Sequence, residues 1–294
     1  MSKLIRLTEK TYVLDAKTKI GFYRLDETNV CVIDSGIDDA AGKEILAVLD
    51  ERGWKLDTLI NTHGHADHVG GNRVLQNATG CRILARGIEA DMARDTLVNP
   101  SLLWGGHPVD DLHGRFFYAA PSDVKDINFT HEYLPDGLQI LPLSGHAADM
   151  IGLLTDDGVA FLGDALCDER VLIKNPFPFF YDPDAAFGTL AFLETLKAEY
   201  FVPSHGEVLS DIRPLIELTS EAIGEIKRRI LASLDTPLCF EELLKVLLDA
   251  AGMRLDFPQY ALIGSTVRSF LTSLRGEGKI VPLFEENRLL WKKS

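Results

Sequence analysis

Three histidines and an aspartate fall within six consecutive residues, His63-Gly64-His65-Ala66-Asp67-His68. The segment follows an apolar run of strand length at 56–61 and precedes Val69-Gly70-Gly71, where a helix can begin. It therefore predicts a loop at the carboxyl end of a strand, where α/β proteins tend to place their chemistry. Imidazole and carboxylate are borderline ligands that suit zinc, iron or manganese. Gly64 and Ala66 are small enough to let the backbone turn tightly, so that neighbouring side chains converge. A lone histidine is most simply a satisfied polar residue. Four ligand-type groups in so short a stretch, behind an apolar strand, point to a metal.

Three further stretches carry the same residue types at strand ends. Ser144-Gly145-His146 follows a run at 139–143, Gly163-Asp164 ends a run at 159–162, and Ser204-His205-Gly206 follows 200–203. Taken together, an HxHxDH segment, a Gly-His, a Gly-Asp and a final His resemble the metallo-β-lactamase superfamily over residues 4–210. The resemblance implies an α/β fold, an αββα sandwich with a binuclear centre between its sheets. It implies that His63, His65 and His146 hold the first metal, that Asp67, His68 and His205 hold the second, and that Asp164 bridges them. The cofactors would be two divalent ions, zinc ahead of iron or manganese. Neutral imidazoles leave such an ion acidic, so that a bound water ionises near neutral pH. The implied enzyme is a metallohydrolase whose metal-bound hydroxide attacks an ester, thioester or lactone. Asp67 would be catalytic, orienting the hydroxide and passing its proton to the leaving group. Secreted penicillin-hydrolysing members place a Cys where Asp164 stands, which disfavours that substrate. Hydroxyacylglutathione hydrolases resemble this core, yet no clear cluster of cationic and Tyr residues follows His205 to claim glutathione. A phosphodiesterase or ribonuclease, an iron-dependent persulfide dioxygenase and a non-enzymatic winged-helix binding module are the alternatives.

Charge narrows the partners. The 294 residues carry 30 Lys+Arg against 44 Asp+Glu, a net charge of −14. Most of the excess lies in residues 1–206, with 18 basic and 31 acidic side chains. Affinity for a polyanion comes mainly from cations neutralising phosphate, so the balance argues against nucleic acid. No stretch approaches the roughly 20 apolar residues that cross a bilayer. The charged N-terminal segment lacks the apolar run of a signal peptide. Cys31, Cys81, Cys167 and Cys239 form no CxxC pair and suit a reducing cytoplasm.

Periodicity supplies the remaining elements. Short strands are expected at 4–8, 12–14, 20–25 and 30–34, then a helix at 40–52 stopped by Gly53. A helix at 70–77, a strand at 82–85 and a helix at 87–97 follow. Strands at 151–155 and 159–162 flank Asp157-Gly158, which favours a tight hairpin. Strands, then mixed elements, then strands again suggest two sheets with helices outside. After 210 the pattern turns helical: 213–234, then a helix opened by Thr236-Pro237 and running to 251, then 259–274. A hairpin around Glu285-Glu286-Asn287 ends the chain. That order is the order of a winged helix, and divides the chain into a catalytic domain at 1–210 and a winged-helix-like domain at 211–294. The third of these helices carries Arg268, with Arg275 just beyond, too few cations for a DNA reader. A packing, dimerising or site-flanking role is expected instead, which leaves room for a homodimer.

Two long segments are expected to choose a small-molecule substrate with an apolar acyl part. Segment 99–126 holds Trp104, Phe116, Phe117 and Tyr118, and segment 167–187 holds Phe177, Phe179, Phe180 and Tyr181. Long connectors rich in rings serve as lids or binding walls, or pin themselves to the body. Asp34, at a strand end, is expected to hydrogen-bond the histidine loop from behind. His107, His113 and His131 are expected to be structural or solvent-facing, and Cys167 to be a small buried residue.

Overall fold

A computed structural model describes residues 2–114, 116–127 and 133–294, and the expectation for His131 lies outside them. The first sheet begins as a meander of β1 (Lys3–Arg6), β2 (Thr11–Asp15), β3 (Ile20–Arg24) and β4 (Asn29–Ile33), paired antiparallel. It continues in parallel through β5 (Lys55–Ile60), β6 (Arg82–Ala85) and β7 (Val124–Asp126). The parallel steps need crossovers. They are made by α1 (Asp39–Arg52), by α2 (Ala66–Val69) with α3 (Asn72–Thr79), and by a stretch containing α4 (Gly87–Arg94) and α5 (Val98–Trp104). Asp38 caps α1 through Ala40 N and Ala41 N, and Gly53 ends it in the left-handed region at φ 66°.

The second sheet has the order β11-β10-β9-β8, from β8 (Leu138–Pro142), β9 (Ile151–Thr155), β10 (Val159–Gly163) and β11 (Tyr200–Pro203). Between β10 and β11 run α6 (Glu169–Lys174) and α7 (Pro183–Thr195). Alternation along the strands aims one set of side chains between the sheets. There Tyr23, Ile33, Ile60, Leu153, Phe161 and Val202 form a buried layer. The outer face of the first sheet packs on Ile45, Leu49 and Leu75 of α1 and α3. The outer face of the second packs on Leu190 and Leu193 of α7. The architecture is thus the mixed α/β sandwich that the sequence implied.

Beyond residue 210 come α8 (Arg213–Ser233), β12 (Leu238–Cys239), α9 (Phe240–Ala250), α10 (Phe257–Gly276), β13 (Ile280–Glu285) and β14 (Arg288–Lys293). The three strands form a small sheet in the order β12-β14-β13. Glu286 and Asn287 turn its hairpin at φ 47° and 60°, the paired left-handed geometry of a tight β-turn. Ile216, Ile223 and Ile230 of α8 and Phe270 of α10 belong to the same hydrophobic cluster as Leu190 and Leu193.

Two expectations need correcting. Thr236-Pro237 does not open a helix, because Leu238 and Cys239 pair with Trp291 and Leu290, and α9 starts only at Phe240. Cys239 N instead donates to Glu242 Oε2 at 2.8 Å. Segment 99–126 is not a plain connector either, since it contains most of α5, a 3-10 turn at Asp110–Leu112, and β7 on the sheet edge.

Candidate metal centre

Every ligand-type residue named above lies just past the carboxyl end of a strand. The 63–68 segment follows β5, His146 follows β8, Asp164 follows β10 and His205 follows β11. Two glycines let the backbone come close enough. A Cβ on Gly64 would stand 2.6 Å from Met92 Cβ and 2.9 Å from Glu89 O. Gly145 lies at φ 137°, and a Cβ there would meet Ala186 N at 2.6 Å. Only glycine fits such approaches.

The side chains gather in three overlapping sets, His63 with His65 and His146, His63 with His68 and Asp164, and Asp67 with His68 and His205. Within each set the ligand-type atoms lie within 4.8 Å of one another. Asp164 sits between the groups. Its Oδ2 is 3.6 Å from His146 Nε2 and 3.4 Å from His205 Nε2, and its Oδ1 is 3.4 Å from His68 Nε2. Asp67 Oδ2 lies 3.3 Å from His205 Nε2 and 3.2 Å from Thr18 Oγ1, which donates to it.

What surrounds the rings fixes their protons. His146 Nδ1 donates to the Phe179 carbonyl at 3.2 Å, and His205 Nδ1 to the Lys17 carbonyl at 3.1 Å. His68 Nδ1 donates to Asp34 Oδ2 at 2.8 Å. Thr62 Oγ1 gives its own proton to Asp34 at 2.8 Å, so it accepts from His63 Nδ1 at 3.1 Å. A neutral imidazole that donates from Nδ1 presents a bare lone pair at Nε2. In their neutral forms His63, His68, His146 and His205 would each present such a lone pair to the centre. His65 Nδ1 lies 3.0 Å from His63 Nε2 and 3.1 Å from His146 Nε2, and can donate to only one of them. His68 Nε2 and Asp164 Oδ1 are buried and have no hydrogen-bond partner. Buried polar atoms left without a partner in this way are costly unless a cation satisfies them. The donor set thus fits the divalent ions that the sequence implied.

Electrostatics divides the rings. Burial holds His63 well below its ordinary value, His65 at about 3, and His146 low as well, so all three are neutral near pH 7. Burial works against a charge on His68 too, but Asp67, Asp164 and Asp34 together raise it. The Asp164 carboxylate lifts His205 to about 10. Burial opposes charge on Asp67 and Asp164, yet neighbouring imidazoles keep both carboxyls below their usual range.

Asp34 stands where the sequence put it. It is buried, with φ 61°, a left-handed conformation that Asp tolerates better than most residues. Its carboxylate accepts from Thr62 N and Oγ1 and from His68 Nδ1, all at 2.8 Å. His107 and His113 are exposed. Cys167 packs at the rim of the core, its N–H held by Thr219 Oγ1.

Sequence reasoning missed Glu89. It is fully buried in α4. Its Oε2 accepts from Gly64 N at 2.9 Å and its Oε1 from Asp149 N at 3.0 Å, tying the His63–His65 loop to the loop that follows His146. Burial pushes its carboxyl up, and the two N–H groups pull against that. Its partners lie 25 and 60 residues away, so no local pattern marks it. Thr18 and Lys17 were missed in the same way: they come from the β2–β3 turn, which Lys19 N staples to Ser204 O at 2.8 Å.

Comparison with known proteins agrees with this arrangement. Residues 18–205 match the family described as the Metallo-beta-lactamase superfamily. The chain belongs to that superfamily. A hydroxyacylglutathione hydrolase from Rhizobium etli is 33% identical over 224 residues, covering 68% of this chain and 86% of that one. Enzymes of the same name from Methylococcus capsulatus and Erythrobacter litoralis match over 20% and 45% of their lengths, at 48% and 30% identity. The chain thus spans less than half of those two relatives. Among solved structures, a metallo-beta-lactamase family protein from Thermus thermophilus has a TM-score of 0.72 at 19% identity, covering 100% of this chain and 98% of that one. A beta-lactamase domain protein from Burkholderia ambifaria has a TM-score of 0.75 at 15% identity, covering 99% and 94%. Both resemble this chain in fold, over 100% and 99% of its length.

In this superfamily member the centre opens into a cavity of about 330 Å³. His65, Asp67, His146, Asp164 and His205 face it, and Phe116, Phe117, Phe177 and Phe179 wall it. The Phe179 ring stands 5.5 Å from that of His65 and 5.6 Å from that of His146. Phe180 does not reach the cavity lining; it packs on Phe270 at 6.1 Å. Of the rings expected to wall the site, then, some do so and others pin the segment to the body.

Proposed function

We propose that the protein is a binuclear metallohydrolase of esters, thioesters or lactones, with His63, His65 and His146 at one metal, Asp67, His68 and His205 at the other, and Asp164 between them. The observation that carries this reading is the three overlapping sets of imidazole and carboxylate ligand atoms, each within 4.8 Å, in which His68 Nε2 and Asp164 Oδ1 are buried without a hydrogen-bond partner. Two divalent ions, zinc ahead of iron or manganese, supply Lewis acidity when bound, acidifying water and polarising a carbonyl oxygen. The chain's own residues do the rest. Asp34, Thr62, Lys17 and Phe179 orient the imidazoles. Asp67 faces the cavity and is the group suited to take a proton from a water nucleophile and return it to the leaving atom. The aromatic wall excludes water and receives an apolar acyl part.

The relatives named as hydroxyacylglutathione hydrolases support thioesters within this class. A phosphodiesterase is less favoured, because no Lys or Arg lines the cavity among the described residues. We read residues 1–210 as the catalytic domain and 211–294 as a winged-helix-like unit that flanks the site. The free cysteines suit a cytoplasmic setting, and among the described residues no helix is long and apolar enough to cross a membrane. The test is anaerobic purification with elemental analysis, followed by thioester, ester, lactone and phosphodiester panels. About two metal equivalents and metal-dependent thioester or ester hydrolysis are expected. Phosphodiester turnover alone, or none with metal bound, would overturn the reading.

A further inference from the structure

The wall of the cavity is not built by the catalytic sandwich alone. Leu262 of α10 lines it beside Leu103 of α5. Leu103, Leu112, Phe117 and Ala261 form a separate buried cluster, against which Phe179, Phe257 and Leu262 pack. Trp104 at the end of α5 lies 5.3 Å from the Phe257 ring at the start of α10. Phe179 thus contacts the histidines His65 and His146 and also packs on this cluster, which Leu262 joins.

Apart from the ligand-type residues, the polar groups lining the cavity are the amides of Asn99 and Asn175. Among the described residues no Lys or Arg lines the cavity, so a carboxylate pushed against the wall of Leu103, Phe117 and Leu262 would lose its hydration and find no cationic side chain there. A cavity of about 330 Å³, at roughly 30 Å³ per non-hydrogen atom, holds on the order of ten such atoms. Reserving room for two metal ions, the carbonyl group, the attacking water and the leaving atom leaves roughly five carbons, an acyl chain of about six with its carbonyl.

We propose that Leu262, delivered by the C-terminal helix, is the stop that sets acyl length in this cavity, and that the group it admits is a neutral, aliphatic, medium-length acyl chain. The charged part of any thiol leaving group then stays outside the wall. This rests on the metallohydrolase reading and names the substrate class of that site.

The test uses the full-length, metal-loaded protein and N-acetylcysteamine thioesters of straight-chain acids from two to twelve carbons. kcat/KM is expected to rise by about fourfold per methylene, to peak near six carbons, and to fall beyond. Leu262→Ala is expected to move the peak two or three carbons longer, and Leu262→Phe to move it shorter. A carboxylate at the acyl terminus is expected to cut kcat/KM by about 100-fold. Binding of the matching N-methyl alkanamides, followed by calorimetry, reads the same preference without turnover. Circular dichroism establishes that each variant is folded, and the two opposite substitutions keep the test decisive if one is not. Hydrolysis with a flat length profile, a peak that neither variant moves, or a preference for the carboxylate-ended chain would overturn the stop and leave the hydrolase reading standing. Length-dependent amide binding moved by Leu262, with no hydrolysis of any substrate, would overturn the hydrolase reading and leave the stop.

Discussion

The metal side of the cavity and its apolar wall are made in opposite ways. On the metal side, the ligand-type residues lie in segments that follow strand ends, and backbone carbonyls, the buried Asp34 carboxylate or the Thr62 hydroxyl fix the rings of His146, His205, His68 and His63. The wall draws on residues as far apart as Leu103 and Leu262, held by side-chain packing and not by backbone pairing. The first arrangement fixes atoms to fractions of an ångström, because hydrogen bonds are directional. The second fixes a shape, because apolar contacts are not. Chemistry and selectivity are thus separable here, and substitutions should divide accordingly.

The largest effects belong to the metal side. His63→Ala and Asp164→Ala should each lower kcat by roughly 10³-fold or more, with a circular dichroism spectrum like that of the parent. Near-full activity in both variants would end the mechanism. Glu89→Ala comes next. It leaves Gly64 N and Asp149 N without their acceptor, and should weaken metal retention by roughly 10- to 100-fold in competition with a chelator. Glu89→Gln keeps an acceptor oxygen for only one of the two N–H groups and should fall between. Equal retention in all three proteins would mean that α4 merely packs beneath the loop.

This division also explains what the sequence could reveal. The strand at 56–61 and the histidines after it are neighbours in the chain, so local pattern exposed them, as it exposed Asp34 behind β4. The turn at Asp157-Gly158 and the stop at Gly53 were legible for the same reason, each being a local backbone requirement. Glu89 and Thr18 act across gaps of 25 to 60 residues, and nothing beside them in the chain marks their partners. Leu262 reads as one more apolar position on an amphipathic helix until the packing of α10 on α5 is known. The start of α9 was misplaced because a long-range pairing, Leu238 with Trp291, outweighs the helix-opening signal of Thr236-Pro237.

The wall should respond more gently. The double substitution Phe116→Ala/Phe177→Ala, the second in the 175–181 segment, strips two rings from the lining and leaves in place the Phe179 carbonyl that holds His146 Nδ1. It should change the ratio of kcat/KM between long and short acyl thioesters by about tenfold, and metal content much less. Unchanged kinetics across the chain-length series would show that these rings only pin their segments.

The smallest expected effect tests what holds the wall in place. Lys227 of α8 is buried, and its Nζ reaches Asp184 Oδ1 at 3.1 Å and Glu277 Oε1 at 2.6 Å, while Ser273 Oγ of α10 donates to the same Asp184 oxygen at 2.6 Å. The group ties α10 to the start of α7. The carboxylates are partly exposed, so solvent screens them, and Lys227→Met should cost about 1–2 kcal/mol rather than the full penalty of a broken buried pair. Hydrogen bonds from Lys227 and Lys279 hold the Glu277 carboxyl below its ordinary 4.5. That contribution is present above pH 4.5 and fades as pH falls through the lower folded value. Burial opposes charge on Lys227, but Glu277 and Asp184 raise it above 10.5, so its contribution is full below 10.5 and fades as pH rises through the folded value. The stability gap between parent and Lys227→Met should therefore be widest from about pH 5 to 10 and close on either side. In that window the variant should bind metal like the parent but discriminate acyl length less sharply. Equal loss of both properties would mean that the wall and the metal side are one mechanical unit, and that the separation argued from their construction does not hold.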